Sequence, residues 1–411
     1  MMAYIMAQRE DGRPRILIVT GVLWVGGGAE KVAAMLGNHL TDEGYETHLL
    51  TFYEAREKYP YHGTYHSLNE KPKRHRFGKI WNIPLRVWRI RCYAKKHGIH
   101  TVVSFLEEAN FYTLVVKLLF ARRLRVIVSV RNNPRRRGFV FRLVSRTLYP
   151  FAEQVVCVTK SIERMLIDDF NLTNTTTIYN PLDLSHIALQ VAQPLPESQK
   201  WMLKRRPLCV SISRLTRQKG QWHLVRAFSK VVQDRNDATL IVLGEGEYRR
   251  RLERLIVDCG LTEHVFLPGN RTNVYQILSA ADIFVFSSLW EGMPNTMLEA
   301  LSVGLPIVTP DCVSGPREII APEAQLRAAF TYPYRTKYGI LTEPFAYDEC
   351  WEPPGAVSLT PREEQLADAI IAMLTEKWIR GNTYTTYKGR LKAFEHKKIM
   401  HEWETLIQSK I

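Results

Sequence analysis

The sequence predicts an α/β protein made of two doubly wound parallel sheets, and three observations carry that prediction. Apolar runs of strand length alternate with helical patterns along the chain. The runs fall into two sets, each sufficient for one sheet, and a proline-rich polar stretch separates the sets. The 411 residues fit two domains, and 45% hydrophobic with 24% charged residues allows sizeable cores and excludes wholesale disorder.

In the first half, strands are expected at 15–20, 47–52, 101–105, 125–130 and 154–158. In the second they are expected at 208–212, 239–243, 264–267, 283–286 and 306–308. The expected domains are 1–185 and 207–385, with a linker at 186–206 that contains Pro194 and Pro196. Within 386–411, Leu391, Phe394, Ile399, Trp403 and Ile407 recur at near-helical spacing, so a terminal helix is expected to pack back on the N-terminal domain. The longest apolar run, 111–120, is broken by Lys117 and followed by Arg122 and Arg123, so no membrane span is expected. A few apolar residues at 1–7 meet Glu10 and Asp11, which is the wrong shape for a secretory signal, and a cytoplasmic location is expected. The six cysteines are scattered singly without metal spacing and read as reduced core residues.

The formal charge of +15 is concentrated in one place. Residues 71–146 hold 20 Lys and Arg against Glu107 and Glu108, a net of +18, and the remainder is close to neutral. Such a segment points to an acidic partner, lipid phosphate or nucleic acid, rather than to a merely solvated face.

Three stretches carry chemistry. After the first strand, Gly26-Gly27-Gly28-Ala29-Glu30 opens a helix, and glycines there serve either as a tight turn or as a close approach to phosphate or substrate. The spacing is neither a dinucleotide fingerprint nor a Walker loop. In the second half, Arg214 and Lys219 stand at a strand's carboxyl end, a planar fork and a point charge suited to one diphosphate, with surface salt bridging as the plainer alternative. Glu291 and Glu299 then flank a strand-to-helix turn, and the amides of Asn295, Thr296 and Met297 are expected to cradle an anion or hydroxyl.

Together with Gly244-Glu245-Gly246 and the Ala281-Asp282 pair, these residues resemble family 4 retaining nucleotide-sugar glycosyltransferases, over about 15–341 and in the family's order. The resemblance implies the GT-B fold, two Rossmann-like domains facing across a cleft. It implies a nucleotide-sugar donor, UDP-sugar preferred, bound mainly by the C-terminal domain, and an acceptor bound mainly by the N-terminal one. By similarity, Arg214 and Lys219 hold the diphosphate and stabilise its leaving charge. Glu291 contacts the donor sugar, Glu299 holds the ribose diol, the Asn270-Arg271 turn walls the base, and Gly27 and Gly28 approach the distal phosphate and the acceptor. The implied reaction retains anomeric configuration, needs no metal or other cofactor, and uses the departing phosphate to help deprotonate the acceptor. Substituting Arg214 or Glu291 by Ala is expected to cost turnover and leave the fold intact. Many relatives carry a His on the N-domain loop near the reacting sugar. Here that loop runs from Ser104 to Asn110, which leaves Glu107, Glu108 and Asn110 as candidates for acceptor hydroxyls, against a helix-capping or exposed role. Ser314 to Glu318 resembles the variant of surface-polysaccharide enzymes, with Glu318 a supporting residue.

Residues 83–97 read as a helix with Pro84 in its first turn, a basic stripe of Arg86, Arg89 and Lys96, and an apolar side of Ile83, Val87, Trp88 and Ile90. It either lies in a membrane interface or packs on its domain with a wet basic face. Arg89 to Lys96 spans about 10 Å, enough to reach lipid pyrophosphate as well as headgroups. The cluster from Arg131 through Arg135 to Arg137 follows a strand end and can reach the same partner. The reading is a hexosyl- or N-acetylhexosaminyltransferase, bound peripherally to the cytoplasmic face of an anionic membrane, whose acceptor is a lipid-linked glycan. A soluble acceptor, a non-catalytic scaffold and a nucleic-acid binder are the rivals. The absence of a nucleic-acid module and the intact donor pattern weigh against the last two, so no nucleic acid is expected.

Overall fold

A central strand of a parallel sheet is covered on both faces, and Ile16–Thr20 (β1) is buried along its whole length. It is followed by α1 (Gly28–Asp42), β2 (Thr47–Thr51), β3 (Thr64–Ser67), α2 (Arg76–Lys96), β4 (Thr101–Phe105), α3 (Glu107–Phe120) and β5 (Arg125–Val130). Next come α4 (Phe139–Leu148), β6 (Gln154–Cys157), α5 (Lys160–Phe170) and β7 (Thr175–Thr177). The computed structural model describes residues 13–71, 76–136, 138–204, 206–326, 329–375 and 384–409. The N-terminal stretch and residues 72–75 and 137 of the basic segment lie outside them. The chain divides into two units, one running to Pro181 and resuming at Lys397, the other spanning Leu182–His396.

In the first unit the described strands form a parallel sheet in the order β3-β2-β1-β4-β5-β6-β7. The order reverses at β1, so right-handed crossovers put α1 on one face and α2, α3, α4 and α5 on the other. The last helix, α14 (His396–Gln408, numbered after the helices of the second unit), joins the α1 face. Ile399, Met400, Trp403 and Ile407 are buried there with Val32, Leu36, Leu40 and Phe105, the Trp403 ring centroid lying 5.8 Å from that of Phe105. Arg125 donates to the carbonyls of Ile407 and Ser409, each at 2.7 Å, placing a cation on the helix's negative end.

The second unit begins with α6 (Leu184–Val191), then β8 (Leu208–Ile212), α7 (Gln221–Asp234), β9 (Thr239–Leu243), α8 (Arg249–Asp258) and β10 (Val265–Gly269). It continues with α9 (Val274–Ala280), β11 (Ile283–Val285), α10 (Asn295–Ser302), β12 (Ile307–Pro310), α11 (Pro316–Ile320), β13 (Tyr334–Thr336) and β14 (Gly339–Thr342). α12 (Pro361–Thr375) and α13 (Tyr384–Leu391) precede α14. Its described strands run β10-β9-β8-β11-β12-β14-β13, parallel except for the β13–β14 edge. α12 packs on α7 through Leu366, Ile370 and Met373 against Leu224, Val225 and Phe228. Buried between them, Glu363 accepts from Arg226 Nε at 3.1 Å and meets His223 Nδ1 at 2.8 Å.

The sequence expectations need four corrections. The stretch 186–206 is not a linker: Asp183 caps α6 by accepting from the His186 amide at 2.9 Å, Ile187 and Met202 are buried, and the stretch belongs to the second unit. The expected helix at 386–411 is divided, α13 falling in the second unit and α14 in the first from Lys397 on. Pro84 is inside α2, which begins at Arg76. Cys92 is exposed, whereas Cys157, Cys209 and Cys312 are buried. Among the described residues no helix is long and apolar enough to cross a membrane.

Because Trp403 fills the α1 face from a helix at the far end of the sequence, Trp403→Ala is expected to destabilise the first unit by about 3–5 kcal/mol. Urea unfolding followed by circular dichroism measures this, and a loss below about 1 kcal/mol would mean the helix docks by its polar contacts instead.

Candidate functional site

Ligands of open α/β sheets collect at the carboxyl ends of the strands, and in the second unit the loops after β8, β9 and β11 are tied together there. The Ser213 amide donates to Leu243 at 3.0 Å, Leu215 to Glu245 at 2.9 Å and Leu289 to Gln218 at 2.8 Å. Ser287 Oγ donates to the Lys219 carbonyl at 2.8 Å. Gly220 closes the first loop with φ 58, and a β-carbon there would stand 2.5 Å from the Ser287 carbonyl, so only glycine admits this approach. α7 starts directly behind it.

Within this frame Lys219 Nζ donates to Glu291 Oε1 at 2.6 Å, with side chains 14% and 7% exposed. Gln218 Nε2 donates to the Trp290 carbonyl at 2.9 Å and reaches Glu291 Oε2 at 3.5 Å. The Lys219 ammonium also lies 5.6 Å from the Phe286 ring centre. Burial pushes the neighbouring Cys312 thiol well up, and Glu291 and Asp311 push it further. Arg214, by contrast, is exposed, and its guanidinium makes no ion pair or hydrogen bond within the described residues. The expectation that Glu291→Ala leaves the fold intact is therefore corrected: it would strand a nearly buried ammonium.

Glu299, on α10, is buried and accepts from Tyr275 Oη at 3.2 Å, so α9 orients it. Asn270 is exposed at the turn after β10, where Arg271 Nη1 donates to the Asn270 carbonyl at 2.9 Å and its buried Nε has no partner. Asn295 and Thr296 open α10 after Pro294. Met297 is not a cradle residue: its amide donates to the Pro294 carbonyl at 3.1 Å and its side chain is fully buried. Ser314 Oγ donates to the Gly292 carbonyl at 2.7 Å. Glu318 is buried, and its carbonyl accepts from Arg390. The Ala281-Asp282 pair is structural, Asp282 accepting from the Leu208 amide at 2.7 Å and from Arg206 at 3.1 Å.

In the first unit the glycine loop stands at the carboxyl end of β1. Gly27 is the N-cap of α1 and Gly28 its first residue, but the backbone demand falls on Gly26, with φ 117 against the Trp24 ring. Glu107 and Glu108 occupy the first turn of α3, where the helix dipole favours acid. Two candidates are structural rather than acceptor-facing. Asn110 is fully buried, accepting from Ser104 Oγ at 2.8 Å and donating to the Ser129 carbonyl at 3.0 Å. Arg86 is buried, clamped by Glu70 (Nε to Oε1 3.1 Å) and Glu108 and laid 4.2 Å from the Phe52 ring centre. Burial works against its charge, but the bonds to Glu70, Tyr53 and Glu108 outweigh it and raise its basicity. Arg89 is partly exposed and donates to the Leu68 carbonyl at 3.3 Å, and Lys96 is exposed. Arg135 forks onto Asp169 at 2.7 and 3.1 Å, and Arg131 is buried. Sequence reasoning missed Gln218 and Tyr275, whose partners lie 73 and 24 residues away in the chain. It also missed Leu106, a non-glycine at φ 72 that ends β4 in strained backbone.

Two doubly wound units, with paired charge at the carboxyl edge of the second, have the architecture of GT-B glycosyltransferases. Residues 26–186 match the family described as Glycosyltransferase Family 4, and residues 197–334 match Glycosyl transferases group 1. An uncharacterized glycosyltransferase of Methanocaldococcus jannaschii is 33% identical over 386 residues, covering 90% of this chain and 94% of the relative. The chain belongs to the family 4 glycosyltransferases. A further relative, from Campylobacter jejuni, is N-acetylgalactosamine-N,N'-diacetylbacillosaminyl-diphospho-undecaprenol 4-alpha-N-acetylgalactosaminyltransferase, 24% identical over 92% of this chain and 94% of its own. The crystal structure of Anabaena HepE with UDP and glucose superposes at a TM-score of 0.73 over 97% of this chain and 100% of HepE, with 18% identity, a likeness of fold.

The two charged positions are expected to separate in a stability assay. Glu291→Ala should lower unfolding free energy by about 3–5 kcal/mol, while Arg214→Ala should stay within about 0.5 kcal/mol of the parent. Denaturant unfolding of both variants checks this, and equal effects would contradict the assignment of the buried pair.

Proposed function

We propose that the chain moves a hexose or N-acetylhexosamine from a UDP-sugar to a glycan carried on a membrane lipid diphosphate, with retention of configuration. The observation that carries the donor half is the nearly buried Lys219–Glu291 pair, with Arg214 on the same loop after β8 exposed and its guanidinium unpaired among the described residues. A diphosphate arriving there takes the Arg214 fork and replaces Glu291 as counter-ion to Lys219, which frees the carboxylate oxygens for sugar hydroxyls. Glu299, held by Tyr275, takes the ribose diol, and the Asn270-Arg271 turn walls the base. In the transfer the bond from C1 to the phosphate oxygen breaks, and the acceptor oxygen bonds C1 on the same face. The acceptor proton passes to the departing phosphate, whose charge Arg214 and Lys219 hold. No metal is called for. HepE crystallised with UDP and glucose, and the Campylobacter relative's diphospho-undecaprenol substrate, support the two halves of the reading.

The membrane half is supported by the α2–α3–α4 face of the first unit. Leu85 and Trp88 on α2, Leu119 and Phe120 at the end of α3, and Phe139 and Leu143 on α4 are exposed, Phe139 at 78%. Lys95, Lys96, Arg122, Arg123, Arg142 and Arg146 stand exposed on the same elements and the turn after α3. Exposed apolar side chains and exposed cations on the same elements suit an anionic lipid surface, and this supports reading the enzyme as a peripheral protein of the cytoplasmic leaflet. Arg89 and Lys96 belong to this face, and Arg86 is the clamp beneath it.

The test supplies UDP-sugars and lipid-linked glycan acceptors to the pure protein and reads the product linkage by NMR. An α-linked product from an α-linked donor is expected, and inversion would contradict the mechanism. In parallel, Phe139→Glu with Leu143→Glu should cut sedimentation with anionic vesicles by about tenfold or more. Equal sedimentation of the parent and the double variant would contradict the membrane face, and transfer to soluble acceptors alone would replace the lipid-linked reading.

A further inference from the structure

Arg131 is a buried cation that meets no carboxylate among the described residues of the first unit. It is 7% exposed, one residue beyond β5. Its Nε donates to Ser129 Oγ at 2.7 Å and its Nη1 donates at short range to Asn180 Oδ1. The guanidinium carbon lies 5.0 and 5.8 Å from the ring centres of Phe105 and Trp403. Its buried Nη2 has no partner, and no carboxylate pairs with it among the described residues. Burial pulls its pKa down to about 9, and the neighbouring Cys157 thiol, itself pushed well up by burial, offsets this only in small part.

The contrast with Arg86 in the same unit is informative. Arg86 is equally buried but clamped by two carboxylates, the arrangement a purely structural arginine needs, since an unpaired buried charge costs several kcal/mol. At Arg131 the same desolvation is met by a hydroxyl and an amide oxygen, both neutral. The side chain stands where ligands of open α/β sheets arrive, at the carboxyl ends of the strands. β5 and β6 end in register, Val130 beside Cys157, and the Val158 amide donates to the Val130 carbonyl at 3.1 Å, which sets Arg131 beside the entrance to α5. A rigid fork with two N–H groups anchored and a third unfilled is shaped to receive an oxyanion.

We propose that Arg131 is the receptor for a phosphate oxyanion of the acceptor, with Ser129 and Asn180 fixing its fork and Phe105 and Trp403 packed beside it. This rests on the transferase reading and adds to it the group by which the first unit recognises its acceptor. The acceptor's phosphate supplies the charge that the fold omits, so the seat favours acceptors carrying that phosphate over the same glycan without it.

The full-length protein saturated with UDP, which occupies the cations of the second unit, is titrated calorimetrically with inorganic pyrophosphate, farnesyl diphosphate and glucuronate. Both diphosphates are expected to bind. Asn180→Asp, which gives the guanidinium a permanent counter-charge without removing a side chain, should raise the melting temperature of the ligand-free protein. It should weaken both diphosphates by about tenfold or more and leave UDP affinity within about twofold. Arg131→Gln should weaken them likewise. Tighter binding of farnesyl diphosphate than of pyrophosphate assigns the seat to a lipid headgroup, and equal binding assigns it to phosphate alone. Undiminished diphosphate binding in Asn180→Asp would overturn the proposal and leave Arg131 a structural rivet. Absence of diphosphate binding in the parent, or binding of glucuronate only, would overturn it as well. The UDP titration by itself tests the donor reading, so the two fail separately.

Discussion

The contact between Lys219 and Glu291 constrains most of the second unit's carboxyl edge. Two opposite charges are held 2.6 Å apart in a nearly dry place, and neither is cheap to bury alone. The surrounding frame exists to hold them: Gly220 brings the β8 loop against the β11 loop, Ser287 fixes the Lys219 carbonyl, and Gln218 reaches across to Trp290 and Glu291. An ion pair of this kind is a poor source of stability compared with apolar packing, so its retention in a tightly laced loop cluster is best understood through what can replace one partner. A diphosphate is a stronger anion than a carboxylate and brings its own ligand for Lys219, leaving Glu291 to bind neutral hydroxyls. Arg214, exposed and without an ion pair among the described residues, adds a charge that needs no burial.

The first unit treats its cations by different rules. Arg86 is compensated twice over and roofed by aromatic rings, Arg135 is forked onto Asp169, and Arg131 is left with neutral partners. The described cations of residues 71–146 therefore include three populations. One part clamps helices together, one part stands exposed among Trp88, Phe120, Phe139 and Leu143, and Arg131 stands buried at the edge of the sheet.

Much of this was legible in the sequence, for reasons that can be stated. Central strands such as Val126 to Val130 are covered on both faces and announce themselves as aliphatic runs. Edge strands do not: β3 is Thr-Tyr-His-Ser and β7 is three threonines, half-covered segments whose strand character comes from pairing with a neighbour. Arg214, Lys219, Glu291 and Glu299 were visible because each sits in a short motif at a strand end. The basic helix misled because periodicity places Arg86 on a stripe with Arg89 and Lys96, whereas Glu70 and Glu108, distant in the chain, draw it inward. The linker misled because prolines mark turns as readily as hinges, and Asp183 turned the stretch into a capped helix. Asn110 looked like a loop residue facing substrate, and only the positions of Ser104 and Ser129 reveal it as a buried connector.

If Arg214 and Lys219 hold a nucleoside diphosphate at the carboxyl edge of the second unit, as proposed, calorimetric titration of UDP into the full-length protein and into Arg214→Ala will separate the two proteins. Because the Arg214 guanidinium has no partner among the described residues, the variant should unfold at the parent's temperature yet bind UDP about tenfold or more weakly, a difference assignable to the ligand alone. Equal UDP affinity in the two proteins, or no UDP binding in the folded parent, would contradict the account.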